Sequence, residues 1–288
     1  MARQAEVGAA ALHSKGWLKS HQWLLLRRMC QLSILGLFLL GPIAGIWLIK
    51  GNLAASMILD TVPLSDPYLM LQVFLTGHTP ELAGLLGAMI VLVFYLLVSG
   101  RVYCSWVCPV NIVTDVASDL QHRLGIKVRS HYSRQTRYWL LGMTLILALT
   151  TGSLLWELVN PVSIVFRGLV FGLGLGWGVI AAIFLFELLV SHRGWCGHLC
   201  PVGAFYGLIG RVSLLRVIAA KREQCNDCMD CFDVCPEPQV IRPALKGEKD
   251  QQSPVIKSGM CTNCGRCIDI CSKDVFRFGI GIDKKTPH

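Results

Sequence analysis

Long uncharged runs fenced by charged residues organise the first two thirds of the chain. Met29 to Ile49 lies between Arg28 and Lys50, and Leu82 to Ser99 between Glu81 and Arg101. Tyr138 to Trp156 lies between Arg137 and Glu157, and Gly168 to Phe186 between Arg167 and Glu187, with the apolar pattern running on to Val190. A charge at the centre of a bilayer costs roughly 2.5–3.5 kcal/mol on insertion scales, so such fences mark the ends of spans. Each run approaches the roughly 20 residues that cross a bilayer as a helix. The pattern predicts four transmembrane helices, with Pro42 and the glycines tolerated inside them. Between Gly51 and Pro80 the chain is partly apolar, at Met57–Leu59 and Leu69–Leu75. That stretch reads either as an amphipathic segment in the outer interface or as an irregular loop capping the helices. Gly203 to Ala220 is apolar except for Arg211 and Arg216. It predicts a short helix on the membrane surface with both arginines at the headgroups; a fifth span would bury them. Near the end, Val275 to Ile280 predicts a short edge strand, while Pro236 to Met260 reads as a polar insertion demanding little structure.

Composition sharpens this picture. Of 288 residues, 53% are hydrophobic and only 16% charged, against about a quarter charged in ordinary soluble domains. The net charge of +9 would suit nucleic acid, but the basic residues sit beside the spans, so no nucleic-acid partner is expected. Arg3, Lys15, Lys19, Arg27 and Arg28 face only Glu6 before the first span. Arg101, Arg123, Lys127, Arg129, Arg134 and Arg137 face Asp115 and Asp119 in the second loop. The first loop sets Lys50 against Asp60, Asp66 and Glu81, and the third sets Arg167 against Glu157. The positive-inside rule then places both termini in the cytoplasm of a multi-pass bacterial inner-membrane protein. No cleaved signal is expected, because the first apolar run is too long for one.

Thirteen cysteines bring in chemistry. Cys225, Cys228, Cys231 and Cys235, followed by Pro236, repeat in spacing as Cys261, Cys264, Cys267 and Cys271. This is the ligand pattern of two-cluster ferredoxins, in which the fourth cysteine of each run ligates the other cluster. It assigns Cys225, Cys228, Cys231 and Cys271 to one [4Fe-4S] cluster and Cys261, Cys264, Cys267 and Cys235 to a second. Ser272 stands where a second proline is usual. Zinc knuckles and a disulfide framework are the competing readings, but zinc sites usually pair CxxC units or add histidines. Arg266 in Cys264-Gly265-Arg266-Cys267 sets a cation beside the second cluster.

A second device is repeated 92 residues apart: Cys104 and Cys108 before Pro109, and Cys196 and Cys200 before Pro201. Each CxxxCP follows an even-numbered span and a basic residue, Arg101 or Arg193. The halves read as parallel repeats related about the membrane normal, with the four thiols converging at the cytoplasmic face. Each proline disfavours helix at the cysteine before it, so each pair straddles a turn. The pairs could cycle as dithiol and disulfide, bind a metal or a further cluster, shape a quinone site, or simply pack as small hydrophobes. His198, between Cys196 and Cys200, is placed to take up a quinol proton or donate to a cluster sulfur, against the reading of a plain interfacial histidine. Glu187 is an acid at a span end, a proton relay or an interface marker. Cys30, alone in the first span, reads as packing, and His122 and His131 as solvated surface. No histidine falls within the spans, which argues against bis-histidine haem, and there is no CxxCH or nucleotide loop.

With these motifs in view, the whole chain resembles the NapH family of ferredoxin-type membrane subunits of periplasmic nitrate reductase systems. The wider group includes NosR and the CcoG-type copper reductases. The resemblance implies a quinol dehydrogenase subunit: quinol from the quinone pool as substrate, and electrons passed to a periplasmic iron–sulfur protein or a membrane multihaem cytochrome, and so indirectly to nitrate reductase. The alternative is a cupric reductase or metal-assembly factor using the CxxxCP cysteines. The expected architecture is a membrane all-α fold with a small α+β ferredoxin module. It divides into an N-terminal segment (1–28), a four-helix membrane domain (29–202), an interfacial linker (203–224) and a two-cluster ferredoxin domain (225–288).

Overall fold

The computed structural model describes residues 7–126, 133–172, 174, 176–191, 193–247 and 252–281. Arg3, Glu6, Lys127, Arg129, His131 and the His122 side chain, which entered the charge and surface readings, lie outside this set. The chain divides into two compact units, one of Met1–Cys30, Tyr95–Trp106 and Tyr206–His288, the other of Gln31–Phe94 and Val107–Phe205.

In the first unit, helix α1 (Ala9–Ser20) leads into α2 (Gln22–Ala44), which continues into the second unit. Strand β4 (Leu215–Ala219) pairs antiparallel with β5 (Phe276–Ile280), Leu215 opposite Ile280 and Ala219 opposite Phe276. Between the strands lie short helices: α11 (Asp230–Asp233), α12 (Ile241–Lys246) and α13 (Arg266–Ile270). Val217, Ala219, Ile241, Ala244, Ile256, Val275 and Phe276 form the buried core under this sheet. The edge strand at the tail is present. The expected surface helix stops early: α10 (Pro201–Ile209) gives way to β4. Arg216 sits in that strand, buried, and donates to the backbone carbonyls of Ser213, Lys257 and Arg211 at 3.0, 2.7 and 2.6 Å. Arg216 therefore clamps the module from within and does not reach for headgroups; only Arg211 is exposed. The segment after Pro236 is also more structured than expected, carrying α12 and a bridge from Val255 to Ile218.

The second unit is mostly helical. α2 ends at Gly45, whose φ of 71° lies in the left-handed region that glycine adopts without strain. The first loop is neither irregular nor a simple amphipathic stretch. It holds a three-stranded antiparallel sheet, β1 (Ile49–Gly51), β2 (Ala55–Ile58) and β3 (Val62–Ser65), followed by α3 (Pro67–Leu75). Asp66 caps α3 by accepting from the Tyr68 N–H at 3.0 Å, and Pro67 fills the first helical position. Helix α4 (Leu82–Val98) coincides with the second apolar run. After it come α5 (Val110–Arg123), α6 (Thr136–Thr151), α7 (Leu155–Val159), α8 (Pro161–Phe171) and α9 (Gly176–Leu189).

The fourth apolar run does not make one helix. It breaks at Gly172 and Gly174, which hold φ of 89° and 39°, and four glycines alternate from Gly172 to Gly178. The third run likewise ends at Gly152 in the left-handed region, before Trp156. Among the described residues the Ala9–Ala44 stretch is the one helical segment long and apolar enough to cross a membrane; Leu82–Val98, Pro161–Phe171 and Gly176–Leu189 are apolar but shorter. Val110, Val162 and Ile183 form the buried centre where α5, α8 and α9 meet. Large apolar side chains nonetheless face outward along the helices, among them Met89, Ile90, Val93 and Phe94 of α4 and Trp139, Met143 and Ile146 of α6.

Candidate iron–sulfur and cysteine sites

Two cavities in the first unit collect the eight tail cysteines. One is lined by Cys225, Cys228, Cys231 and Cys271, with Phe232, Ile270 and Phe276 as apolar wall. The other is lined by Cys235, Cys261, Cys264 and Cys267, with Val217, Ile241 and Ile256. Each cavity takes three cysteines from one run and one from the other. The local backbone serves this crossing. Met229 and Gly265, at φ of 69° and 76°, precede α11 and α13, turning the chain so that the third cysteine of each run, Cys231 or Cys267, enters a short helix. Among the described residues no three Cys, His, Asp or Glu side chains gather on a single-ion site. The cysteines instead ring a volume, a soft all-sulfur donor set suited to an iron–sulfur cluster.

Burial sets the thiol acidities. Cys231 and Cys261 are both pushed up to about 12, by desolvation first and, for Cys231, by the neighbouring thiolates. Cys267 is raised well above the ordinary value for the same reasons. Cys264 goes the other way: burial raises it most, but the charges of Arg27 and Arg266 together with hydrogen bonds from the Arg266 backbone and the Thr262 side chain hold it below the usual thiol range. The second cavity therefore has an electropositive corner.

The N-terminal helices help to build these walls. Asp269 accepts from the N–H groups of Trp23 and Leu24 at 3.1 and 3.0 Å. Lys15 Nζ donates to the Ile268 carbonyl at 3.0 Å, and the Gly8 N–H to Asp230 at 3.2 Å. The Trp23 ring lies against Gly265 so closely that a Cβ there would fall 2.5 Å from it. Gly265 is thus required both by its φ and by the indole.

Each CxxxCP motif forms a π-helical turn, Tyr103–Val107 and Trp195–Leu199. The proline effect is visible at Cys200, extended at φ −71°, ψ 113°. In the first unit, Arg101 Nη1 donates to Glu237 Oε1 at 2.8 Å and to the Met260 carbonyl at 2.9 Å. Ser105 Oγ donates to the Thr262 carbonyl at 2.7 Å, and Trp106 Nε1 to the Asn263 carbonyl at 3.1 Å. In the second unit, Glu187 is buried and accepts from the N–H groups of Gly194 and Trp195 at 3.1 and 3.0 Å. It caps the second turn. Arg193 pairs with Asp115, both nearly buried. His198 is buried, and Cys196 Sγ lies 4.0 Å from Thr114 Oγ1. Cys104, Cys108, Cys196 and Cys200 are all half-buried, and none is in a disulfide. Sequence reasoning did not find Glu237, Asp115, Trp23 or Trp106. The 92-residue offset relating Arg101 to Arg193 was the available signal that both arginines have structural partners.

The geometry agrees with what known proteins show. Residues 81–127 and 173–221 match the 4Fe-4S binding domain family, and residues 224–275 the 4Fe-4S dicluster domain family. The first two matches cover the CxxxCP repeats. The methylamine utilization ferredoxin-type protein MauN of Methylorubrum extorquens is 52% identical over 99% of this chain and 98% of its own length. The ferredoxin-type protein NapH of Escherichia coli is 50% identical over 95% of both, and that of Haemophilus influenzae 47% over 93% of both. No solved structure matches the chain.

Proposed function

The chain belongs to the NapH/MauN family of ferredoxin-type proteins, and from that premise we propose that it oxidises quinol in the bacterial inner membrane and passes the electrons toward a periplasmic nitrate reductase. Its 4Fe-4S domains make it an iron–sulfur electron-transfer protein; the substrate, topology and recipient are the proposal. The observation that carries it is the pair of four-cysteine cavities. Cys225, Cys228, Cys231 and Cys271 would hold one [4Fe-4S] cluster, and Cys235, Cys261, Cys264 and Cys267 the other. Such clusters supply one-electron acceptance, which divides the two electrons of a quinol while its two protons leave separately. The chain itself keeps water away with Val217, Ile241, Ile256 and Phe276, and sets positive charge at Cys264 through Arg27 and Arg266.

The outward apolar faces of α4 and α6 support burial in lipid. The proposal keeps four spans, from the apolar runs, with both termini inside, from the loop charges. In that topology the cavities face the cytoplasm. A periplasmic acceptor then requires a partner that carries electrons back, a periplasmic iron–sulfur protein or a membrane multihaem cytochrome. The near-equal identity to relatives named for methylamine utilization favours a second reading of the recipient alone, with the same quinol chemistry feeding a different oxidoreductase.

The test is anaerobic purification in detergent, iron and sulfide analysis, and EPR before and after addition of a reduced menaquinol or ubiquinol analogue. Two interacting cubane signals appearing with quinol are expected. Clusters that stay oxidised against a reduced quinol pool, with the partner present, would sink the proposal.

A further inference from the structure

Resting on the cluster reading above, we propose that Arg101–Trp106, the start of the first CxxxCP turn, is the junction at which electrons enter the cavity of Cys235, Cys261, Cys264 and Cys267. The buried Arg101–Glu237 pair is the positioning device that holds the junction in place. The contacts fall on the loops of that cavity. Glu237 stands two residues after Cys235, and Met260, Thr262 and Asn263 flank Cys261. Three side chains of the turn, Arg101, Ser105 and Trp106, donate to them at 2.7–3.1 Å. Both members of the ion pair are 3% exposed. A buried ion pair is weak evidence for added stability, because desolvation offsets the attraction; its better-attested use is to fix one arrangement. The Trp106 ring lies edge-on to Trp23 at 6.2 Å, and Trp23 itself covers Gly265 of the same cavity.

The internal repeat supplies a control within the molecule. Ninety-two residues on, Arg193 replaces Arg101, Gly197 replaces Ser105 and His198 replaces Trp106. Arg193 pairs with Asp115, Gly197 has no side chain to donate, and an imidazole stands for the indole. The common scaffold is kept, and the residues that dock on the cavity differ. The first repeat is thus built as the junction and the second for another task. Oxidising one quinol to quinone releases two electrons and two protons. Cys235, Cys261, Cys264 and Cys267 would hold the group that takes the first electron and Cys225, Cys228, Cys231 and Cys271 the group that takes the second, while the two protons would leave to bulk water.

The experiment uses the full-length protein with clusters assembled, reduced by a quinol analogue and sampled by rapid-freeze EPR. Glu237→Gln, Trp106→Phe and Arg101→Gln are compared with the unaltered chain. Quinol-driven reduction should slow by about tenfold or more, the scale on which small misplacements act. Iron content, the EPR spectrum after dithionite and the rate of reduction by dithionite should stay unchanged. Arg101→Lys should recover part of the rate. If Glu237→Gln or Arg101→Gln fails to assemble clusters, Trp106→Phe, which removes one N–H donor, decides alone. Unchanged quinol rates at full iron content, or equal slowing with dithionite, overturn the junction. Absence of quinol reduction in the unaltered chain overturns instead the function on which it rests.

Discussion

Arg27 brings a fully buried positive charge to the neighbourhood of Cys264. A nearby cation favours the state with the extra electron, so it raises a cluster's potential. Arg27→Gln should therefore lower the potential of the cluster in the second cavity and leave the other nearly unmoved. The effect should be on the order of 1 kcal/mol, as for a charge in an effective dielectric of ~20 several ångströms away; an EPR-monitored redox titration reads it. Glu187 makes a prediction of a different kind. Replacing it with Gln would turn an acceptor oxygen into an N–H donor facing the N–H groups of Gly194 and Trp195. A loss of about 1–3 kcal/mol is expected, measurable as a lower thermal midpoint in detergent. At this scale the cysteines were readable because their spacing alone carries the chemistry. Arg27, Glu187 and Glu237 were not, because a lone charge on a linear sequence looks the same whether it ends a span or turns inward to a partner.

Among the elements, helices with a local signal were legible and those shaped by tertiary context were not. Leu82–Val98 follows its apolar run within a residue. The β2–β3 connection had no glycine to betray it: Leu59 and Asp60 hold φ of 50° and 56°, a conformation L residues seldom adopt without support. The support here is the register of the sheet around them, Ile58 opposite Val62. In contrast, Asp66-Pro67 and Asn160-Pro161 are cap-and-proline signatures that mark the starts of α3 and α8, and their helices could have been placed from them. Asn160 accepts from the Val162 N–H at 3.1 Å, so Asn160→Ala should cost about 1 kcal/mol. The break after α8 was written in the alternating glycines of Gly172–Gly178, outvoted by apolar length. Gly172→Ala should not mend it: at φ 89° a Cβ adds about 1–2 kcal/mol of strain, and thermal unfolding should show a loss.

At the scale of the whole molecule, the prediction is one of sidedness. A periplasm-active reporter placed in the loop at Asp60 should be active, and the same reporter fused after residue 281 silent, if the loop charges set the orientation. Activity at the tail would reverse the topology. One feature of the first unit reaches further. Gly8, Lys15, Trp23 and Leu24 are bonded to Asp230, Ile268 and Asp269, so segments far apart in sequence build one wall of the cysteine-bearing module. Neither segment completes that wall without the other. A tail expressed by itself would be missing one of its sides.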